Sequence, residues 1–228
     1  MRNALYLAAA VLCLGIAPSN SRATILNFDS LAGGGFVPSG YGDRVASEGG
    51  GWGYVEGNGW TPAIAVGFDA LRLSDYTLAQ GGLRTWGLGF GDLSVVAWPG
   101  AETGYAGVFM FTPDPGYAVR INSFQLGGYP QRDWENQPVL VTDENWNVLW
   151  TGDPHVEGSD LEADTIVATH SEYAPGVTRS GPLYLIFGDN WNIGIDMIDF
   201  DQVPVPEPGT LSLVGLGLAL LAGRARRN

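Results

Sequence analysis

The sequence contains no lysine, a single cysteine and only two histidines among 228 residues. Cys13 lies in an N-terminal apolar stretch, so the remainder of the chain must be stabilised by packing or by metal ions rather than by disulfide bonds. His155 and His170 alone do not make a zinc site. The sequence also has no GxSxG element and no phosphate-binding glycine loop. Most common catalytic motifs are therefore excluded, and we predict a protein that is not an enzyme.

Positive charge is scarce in the central part of the chain. Residues 24–205 contain 6 arginines and 23 acidic residues, a formal net charge of −17. A surface of that sign repels nucleic acid, so nucleic acid is not an expected partner. The same charge is compatible with calcium, which prefers carboxylate and carbonyl oxygens. The alternative is that the acidic residues only keep an exported protein soluble.

The longest apolar runs lie at the two ends of the chain. At the N-terminus, Arg2 precedes an apolar run over residues 4–17, and Ser21-Arg22-Ala23 follows. A positive charge, an apolar run and small residues at the −3 and −1 positions are typical of a secretory signal peptide, which we predict over residues 1–23. The alternative is a buried N-terminal helix.

Three elements follow one another at the C-terminus: a Pro-Glu-Pro turn, an uncharged apolar stretch and an arginine cluster. They are Pro206-Glu207-Pro208, then Leu211–Gly223, then Arg224, Arg226 and Arg227. As a helix, the apolar stretch would reach roughly 20 Å, short of a hydrocarbon core of about 30 Å. The arginines are expected to stay on the cytoplasmic side. We therefore predict a short transmembrane helix that gives the precursor a transient membrane contact.

This C-terminal order resembles the PEP-CTERM sorting signal of Gram-negative bacteria. The resemblance implies that an exosortase-type processing enzyme recognises the Pro-Glu-Pro, removes the helix and releases or transfers the protein outside the cell. The class is often tied to extracellular polysaccharide. We divide the chain into a signal peptide (1–23), a domain (24–203) and a sorting signal (204–228). The precursor is expected to be tethered to the inner membrane, and the mature protein to reach the cell surface or the extracellular space.

The central domain is predicted to be all-β. Its apolar runs are short and bounded by Gly, Pro, Asn or Asp, and no helical period persists over three turns. Ten strands are predicted: Thr24–Phe28, Ala63–Phe68, Leu93–Ala97, Gly107–Phe111, Ala118–Gly127, Val139–Thr142, Val148–Thr151, Thr165–His170, Leu183–Phe187 and Gly194–Phe200. Residues 33–59 are predicted as a long loop. The absence of βα alternation favours a two-sheet jelly-roll sandwich.

Five short segments occur in a characteristic order along this domain. They are "NFDSL", "VPSGYGDRV", "GWTPAIAV", "FTPDPGYAVRINSFQLGGY" and "IGIDMIDF". Together they are similar to exported PEP-CTERM proteins whose domain is a galactose-binding-like β-sandwich. Met197 departs from the pattern, where Asn is expected. Members of this class are mostly of unassigned function, so the resemblance implies a fold more than an activity.

Asp196 in the last predicted strand is a candidate metal ligand. Strict alternation places it on the same face as Ile198 and Phe200, hence towards the core. A buried carboxylate needs a partner, because an isolated charge in an apolar interior is very costly. The galactose-binding-like resemblance implies a structural calcium where the terminal strands meet, with Asp29 as a second ligand. The alternative is a hydrogen-bonded structural aspartate.

Aromatic side chains in predicted loops are candidates for glycan binding. Their ring faces stack on the apolar face of a sugar, while neighbouring polar groups bind its hydroxyls. The candidates are Trp52, Trp60, Tyr129, Arg132, Trp134 and Trp191. The alternative for each tryptophan is packing between glycine-rich loops and a sheet.

Together these features predict an exported, non-catalytic module that binds extracellular polysaccharide weakly. Two other functions stay open. One is a purely structural matrix protein without a specific ligand. The other is a small glycan hydrolase, which needs two carboxylates about 5–10 Å apart; the sequence does not single out such a pair.

Overall fold

The computed structural model describes residues 23–46, 59–100, 103–162 and 165–205, with only the backbone of residues 161 and 162. The predicted signal peptide and sorting signal lie outside the described residues, apart from the residues at their inner boundaries. Trp52 and residues 47–58 of the predicted long loop lie outside them as well. The described residues thus belong to the central domain.

These residues form fifteen strands and one turn of 3-10 helix, at Asn190–Asn192. The strands are β1 Thr24–Leu26, β2 Ile64–Arg72, β3 Thr77–Leu78, β4 Arg84–Gly89, β5 Gly91–Trp98, β6 Tyr105–Pro113, β7 Tyr117–Gly128, β8 Val139–Thr142, β9 Val148–Thr151, β10 Ser159–Glu162, β11 Thr165–Ala168, β12 Ser171–Tyr173, β13 Val177–Arg179, β14 Leu183–Phe187 and β15 Ile193–Pro204. The predicted all-β fold is confirmed.

The strands form two large antiparallel sheets. Sheet A has the order β12-β7-β15-β5-β4, with β1 also beside β15 and β13 also beside β7. Sheet B has the order β3-β2-β6-β14-β8-β9, and β10 and β11 form a separate hairpin. The first and last strands are neighbours, since Thr24 pairs with Phe200 and Leu26 with Ile198. The jelly-roll connectivity stays a prediction.

The main core lies between the two sheets. Alternate residues of the strands point inward, and β6 and β14 are also buried on their outer face, where Val108 and Ile186 belong to a separate apolar cluster. Phe111 of sheet B and Phe200 of sheet A are both fully buried, and their ring centroids are 4.8 Å apart. Towards the end of β15, the buried Gln202 accepts a hydrogen bond through Oε1 from the backbone N–H of Ala63, at 2.9 Å. The two sheets are therefore joined by packing and by this polar contact.

Three strands of sheet B agree best with the prediction from the sequence. Strands β8, β9 and β14 have the predicted bounds, and β8 and β9 form the predicted hairpin. Five strands were not predicted: β3, β4, β10, β12 and β13. They have two to six residues, and most lie at the margin of a sheet. Their extended conformation depends on pairing with a distant strand, which the local sequence does not reveal.

Strand β15 changes its neighbour at a β-bulge. Ile195 pairs with Ala97 of β5, whereas Ile198 pairs with Leu26 of β1. The register shifts after Asp196, and Met197 has a φ of 51°. The extra residue reverses the alternation, so that Ile195 and Ile198 both belong to the core.

The bulge corrects the predicted orientation of Asp196. Asp196 pairs with Gln125 of β7, and paired residues of antiparallel strands share a face. The neighbours of Gln125 along β7, Phe124 and Leu126, belong to the core, so Gln125 and Asp196 face the other side. The prediction that Asp196 shares a face with Ile198 was wrong, because strict alternation does not hold across a bulge.

Candidate functional site

A pair of glycines forms a flat area on the outer face of sheet A. Gly127 of β7 and Gly194 of β15 are register partners that point away from the core. A Cβ on Gly127 would lie 2.4 Å from the carbonyl oxygen of Phe90, and one on Gly194 would lie 2.3 Å from Cγ2 of Val96. No larger residue fits at either position. The β4–β5 hairpin therefore packs directly on the sheet backbone.

This close packing creates a second, smaller core outside the sandwich. Phe90, Leu93 and Val96 are buried there, and Trp98 and Tyr129 pack against them. The hairpin residues Phe90 to Trp98 thus cover the glycine pair. Their aromatic members also form the wall of an open cleft.

Five aromatic side chains line this cleft, which has a volume of about 200 Å³: Trp86, Phe90, Trp98, Tyr129 and Trp191. We call it the aromatic cleft. Trp86 and Trp191 are 42% and 43% exposed, so their rings are accessible from solvent. The rings of Tyr129 and Trp191 are 5.4 Å apart at 76°, and those of Phe90 and Tyr129 are 5.0 Å apart. The cleft offers ring faces and edges in several orientations.

One polar atom of the cleft lacks a partner. The indole N–H of Trp98 is buried and makes no hydrogen bond to any described residue. A buried donor without an acceptor costs about 1–3 kcal/mol. The side-chain oxygens of Asn190 and Asn192, which flank Trp191 in the chain, are also buried without a partner in this part of the structure. Because these three atoms are buried, they are closed to a ligand in the cleft, and the exposed rings are the groups that a ligand can contact.

The structure brings two of the predicted glycan-binding residues together. Tyr129 and Trp191 both line the aromatic cleft. Trp134 instead donates a hydrogen bond from Nε1 to the carbonyl oxygen of Tyr129, at 2.7 Å, and the guanidinium of Arg132 lies 3.9 Å from the centroid of the Trp134 ring. These two residues stabilise the loop that carries Tyr129. Trp60 is 47% exposed and does not line the cleft.

The sequence analysis missed Trp86, Phe90 and Trp98. It considered aromatic residues in predicted loops, whereas Trp86 and Trp98 lie in β4 and β5. Alternation along β5 contains the missing signal. Ala97 belongs to the main core, so Val96 and Trp98 point to the outer face. A tryptophan that points out of the sandwich needs other apolar side chains to pack against.

The second candidate site surrounds Asp196, in the gap where β15 passes from β5 to β1. Asp196 is only 4% exposed. Its Oδ1 accepts hydrogen bonds from the backbone N–H groups of Met197, at 2.7 Å, and Phe28, at 3.4 Å. Burial raises the pKa of Asp196 to about 7; the nearby Asp29 adds to the shift, and the two hydrogen bonds oppose it. The carboxyl group satisfies backbone donors that neither neighbouring strand reaches.

The predicted calcium ligands Asp29 and Asp196 are thus close enough to interact electrostatically. Among the described residues, no group of three or more His, Cys, Asp or Glu side chains is arranged to hold a metal ion. Calcium takes six to eight oxygen ligands. Two carboxylates supply few of these, so carbonyl groups and water would have to provide most of the coordination. The donor set fits calcium only in part.

The comparison with protein families matches residues 204–227 to the PEP-CTERM protein-sorting motif. The chain carries a PEP-CTERM sorting motif. The motif suggests an exosortase-sorted protein that is exported in a Gram-negative bacterium, and it implies processing by an exosortase. The comparison with curated proteins gives no match.

The membrane contact predicted through the C-terminal helix falls outside the described residues. Within the part of the chain that the structure does describe, no helix combines the length and the hydropathy needed to cross a bilayer.

Proposed function

We propose that this protein is an exported, non-catalytic module that binds a neutral glycan at the cell surface or in extracellular polysaccharide. The observation that carries this proposal is the aromatic cleft, in which the exposed rings of Trp86 and Trp191 lie beside three further aromatic side chains. Exposed ring faces suit the apolar face of a sugar. The sorting motif supports the extracellular location.

The size of the cleft sets the size of the ligand. Pockets for drug-sized ligands have volumes of roughly 300–1,000 Å³, whereas this cleft has about 200 Å³. It therefore suits one sugar ring of a longer chain. With little enclosure, binding should be weak for one ring and stronger for polymers, which engage many modules at once.

The composition of the cleft supports binding over hydrolysis. Glycoside hydrolysis needs two carboxyl groups that flank the scissile bond. The described residues that line the cleft include no Asp and no Glu. A hydrolase at this position would have to recruit both groups from elsewhere.

The experiment is retention of the protein in native gels that contain neutral polysaccharides. Trp86→Ala removes one exposed ring of the cleft, and we expect about a fivefold weaker interaction, since one aromatic contact contributes about 1 kcal/mol. Trp191→Ala removes an exposed wall and should abolish retention. Trp60→Ala is the matched control, because it removes a similarly exposed tryptophan outside the cleft.

Two outcomes would replace the proposal. If no glycan retains the protein and the cleft variants change only its stability, it is a structural matrix protein. If a polysaccharide is turned over and one carboxylate substitution abolishes the turnover, it is a glycan hydrolase.

A finer form of the proposal is a galactose-binding-like jelly roll with one structural calcium at Asp29 and Asp196. Support comes from the pairing of β1 with β15, which joins the two ends of the domain beside both carboxylates. The competing role for Asp196 is that of a hydrogen-bonded structural aspartate, and its two backbone hydrogen bonds favour that role. Chelation of calcium should lower the melting temperature only if the metal binds.

A further inference from the structure

The last strand stays paired into the first residue that is matched to the sorting motif, Pro204. Val203 pairs with Ala118, and Pro204 pairs with Tyr117. The backbone N–H of Val205 donates to the carbonyl oxygen of Gly116, at 2.8 Å. Pro206, the first residue of the Pro-Glu-Pro motif, follows directly in the sequence. No spacer separates the folded domain from the motif.

This arrangement limits how far the motif extends from the domain. Three residues span at most about 10 Å even when fully extended, so an enzyme that binds Pro206-Glu207-Pro208 must approach the β6–β7 turn to which Val205 is hydrogen-bonded. An enzyme that binds an extended substrate as an additional strand uses backbone groups on both sides of its recognition motif. On the domain side, those groups belong to residues 203–205, which are already paired with β7 or its preceding turn.

The end of β15 is suited to local opening. Val203 is half-buried, and Pro204 and Val205 are exposed, so their separation from β7 uncovers little apolar surface. Gln202 is different, because it is buried and its side chain is hydrogen-bonded to Ala63. Segments with few buried contacts open at low free energy, whereas core segments do not. Opening should therefore stop at Gln202 and release three residues.

We propose that residues 203–205 must separate from β7 before the processing enzyme engages the sorting motif. The released segment then enters the enzyme. The uncovered backbone of Gly116–Ala118, in β7 and its preceding turn, faces the enzyme. This inference rests on the proposed exosortase sorting. It adds that the folded domain itself limits the rate of processing.

The first test lengthens the connection. The full-length precursor and a variant with Gly-Ser-Gly-Ser inserted between Val205 and Pro206 are incubated with membranes that contain an exosortase-type enzyme. The processed fraction is followed over time on gels. We expect the insertion to accelerate processing several-fold, because the motif then reaches the enzyme without opening the strand.

The second test locks the strand end. Tyr117→Cys with Pro204→Cys places two cysteines directly opposite each other, at a Cα separation of about 4.5–5.5 Å that permits a disulfide. The only other cysteine is Cys13, within the predicted signal peptide. The oxidised variant should be processed about tenfold more slowly, and a reductant should restore the rate. Each single substitution is a control.

The outcomes separate this inference from the proposal on which it rests. Faster processing with the insertion and slower processing of the oxidised lock support it. Equal rates for the wild type, the insertion and the lock overturn it while leaving exosortase sorting intact. If no chain is processed, including the wild type, both the sorting proposal and this inference are overturned.

Discussion

Asp196 is buried although its side chain points away from the main core. It fills the gap between β1 and β5, where two backbone N–H groups need an acceptor. Burial in this position raises the pKa of the carboxyl group to about 7. At neutral pH the residue is therefore close to the midpoint between its charged and neutral forms.

The first prediction concerns the pH dependence of stability. Because the pKa of Asp196 is about 7 in the folded protein and 3.8 as an ordinary value, the folded state retains a proton that the unfolded chain releases. The stabilisation is complete at low pH and is lost as the pH rises from about 4 to 7. Asp196→Asn mimics the neutral form, so at pH 8 it should stabilise the fold by up to roughly 4 kcal/mol, at about 1.4 kcal/mol per pKa unit.

Thermal melting of both proteins between pH 4 and pH 8 measures this effect. The difference should be largest at pH 8 and should shrink towards pH 4. Asp114→Asn is a control of opposite sign, because a hydrogen bond from Arg44 lowers the pKa of Asp114. A melting temperature of the wild type that falls on chelation, together with a destabilised Asp196→Asn variant at pH 8, would favour the calcium site instead.

The sequence carried part of the information about single residues. It correctly identified Asp196 as a buried carboxylate that needs a partner. Because of the bulge at Met197, however, the side chain lies on the opposite face of the sheet from the predicted one. Tyr129 and Trp191 were chosen because they lie near turns, and both reach the cleft. Trp98 was overlooked, because its environment depends on the hairpin fold and on the glycine pair beneath it.

At the scale of secondary-structure elements, the β4–β5 hairpin depends on the glycines of two other strands. The contact brings the Phe90 backbone against Gly127 and the Val96 side chain against Gly194. It is the absence of a side chain, rather than an unusual backbone conformation, that matters at these two positions. The aromatic cleft exists only while the hairpin rests on this surface.

The second prediction is that Gly127→Ala displaces the hairpin. The new Cβ would lie 2.4 Å from the oxygen and 2.7 Å from the carbonyl carbon of Phe90, and backbone atoms cannot rotate away. We expect a loss of about 1–3 kcal/mol in the free energy of unfolding, as in overpacked cores, and loss of glycan retention. Denaturant unfolding and native gels measure the two effects.

Gly81→Ala is the matched control for this substitution. No atom lies within 4 Å of a Cβ at that position, so the variant should keep wild-type stability and binding. Wild-type behaviour of Gly127→Ala would mean that the hairpin does not need this close contact.

Strands in the middle of the sheets could be predicted, and most strands at the margins could not; the edge strand β9 is an exception, because it forms a local hairpin with β8. The segment Leu183–Phe187 is almost wholly apolar and pairs on both sides, so its local composition suffices. Strands β12 and β13 have three residues each and are extended because β7 offers them backbone partners. Such pairing joins Glu172 to Gln125, 47 positions away in the chain, and leaves no periodic pattern.

At the scale of the whole molecule, net charge limits the kind of glycan that the proposed site can bind. Residues 24–205 carry a formal net charge of −17. The resulting field repels polyanions over roughly one Debye length, about 10 Å at 0.1 M salt. An uncharged cleft on an acidic protein therefore favours neutral polymers.

The third prediction compares neutral and uronic-acid polysaccharides in the same native gels. Retention by a neutral polymer should be nearly independent of salt, because stacking and hydrogen bonding carry it. Acidic polymers should not retain the protein at low salt, where repulsion is strongest. Strong retention by a uronic-acid polymer at low salt would contradict the assignment of a neutral ligand.

The arrangement of the strands in the two sheets could not be predicted from the sequence. Composition indicated an all-β domain, and the hairpin of β8 and β9 follows from a single local segment. The order of sheet A depends on β15 lying between β7 and β5, which are more than 60 residues away from it in sequence. Such long-range pairing is decided by the fit of whole faces, which no single segment encodes.

Strand β15 also connects the aromatic cleft with the sorting motif. It begins at Ile193 beside the aromatic cleft and ends at Pro204 beside the sorting motif. Twelve extended residues span about 35 Å once the bulges are allowed for. A protein held by its C-terminal end would therefore have the aromatic cleft at the far end of β15 from its point of attachment.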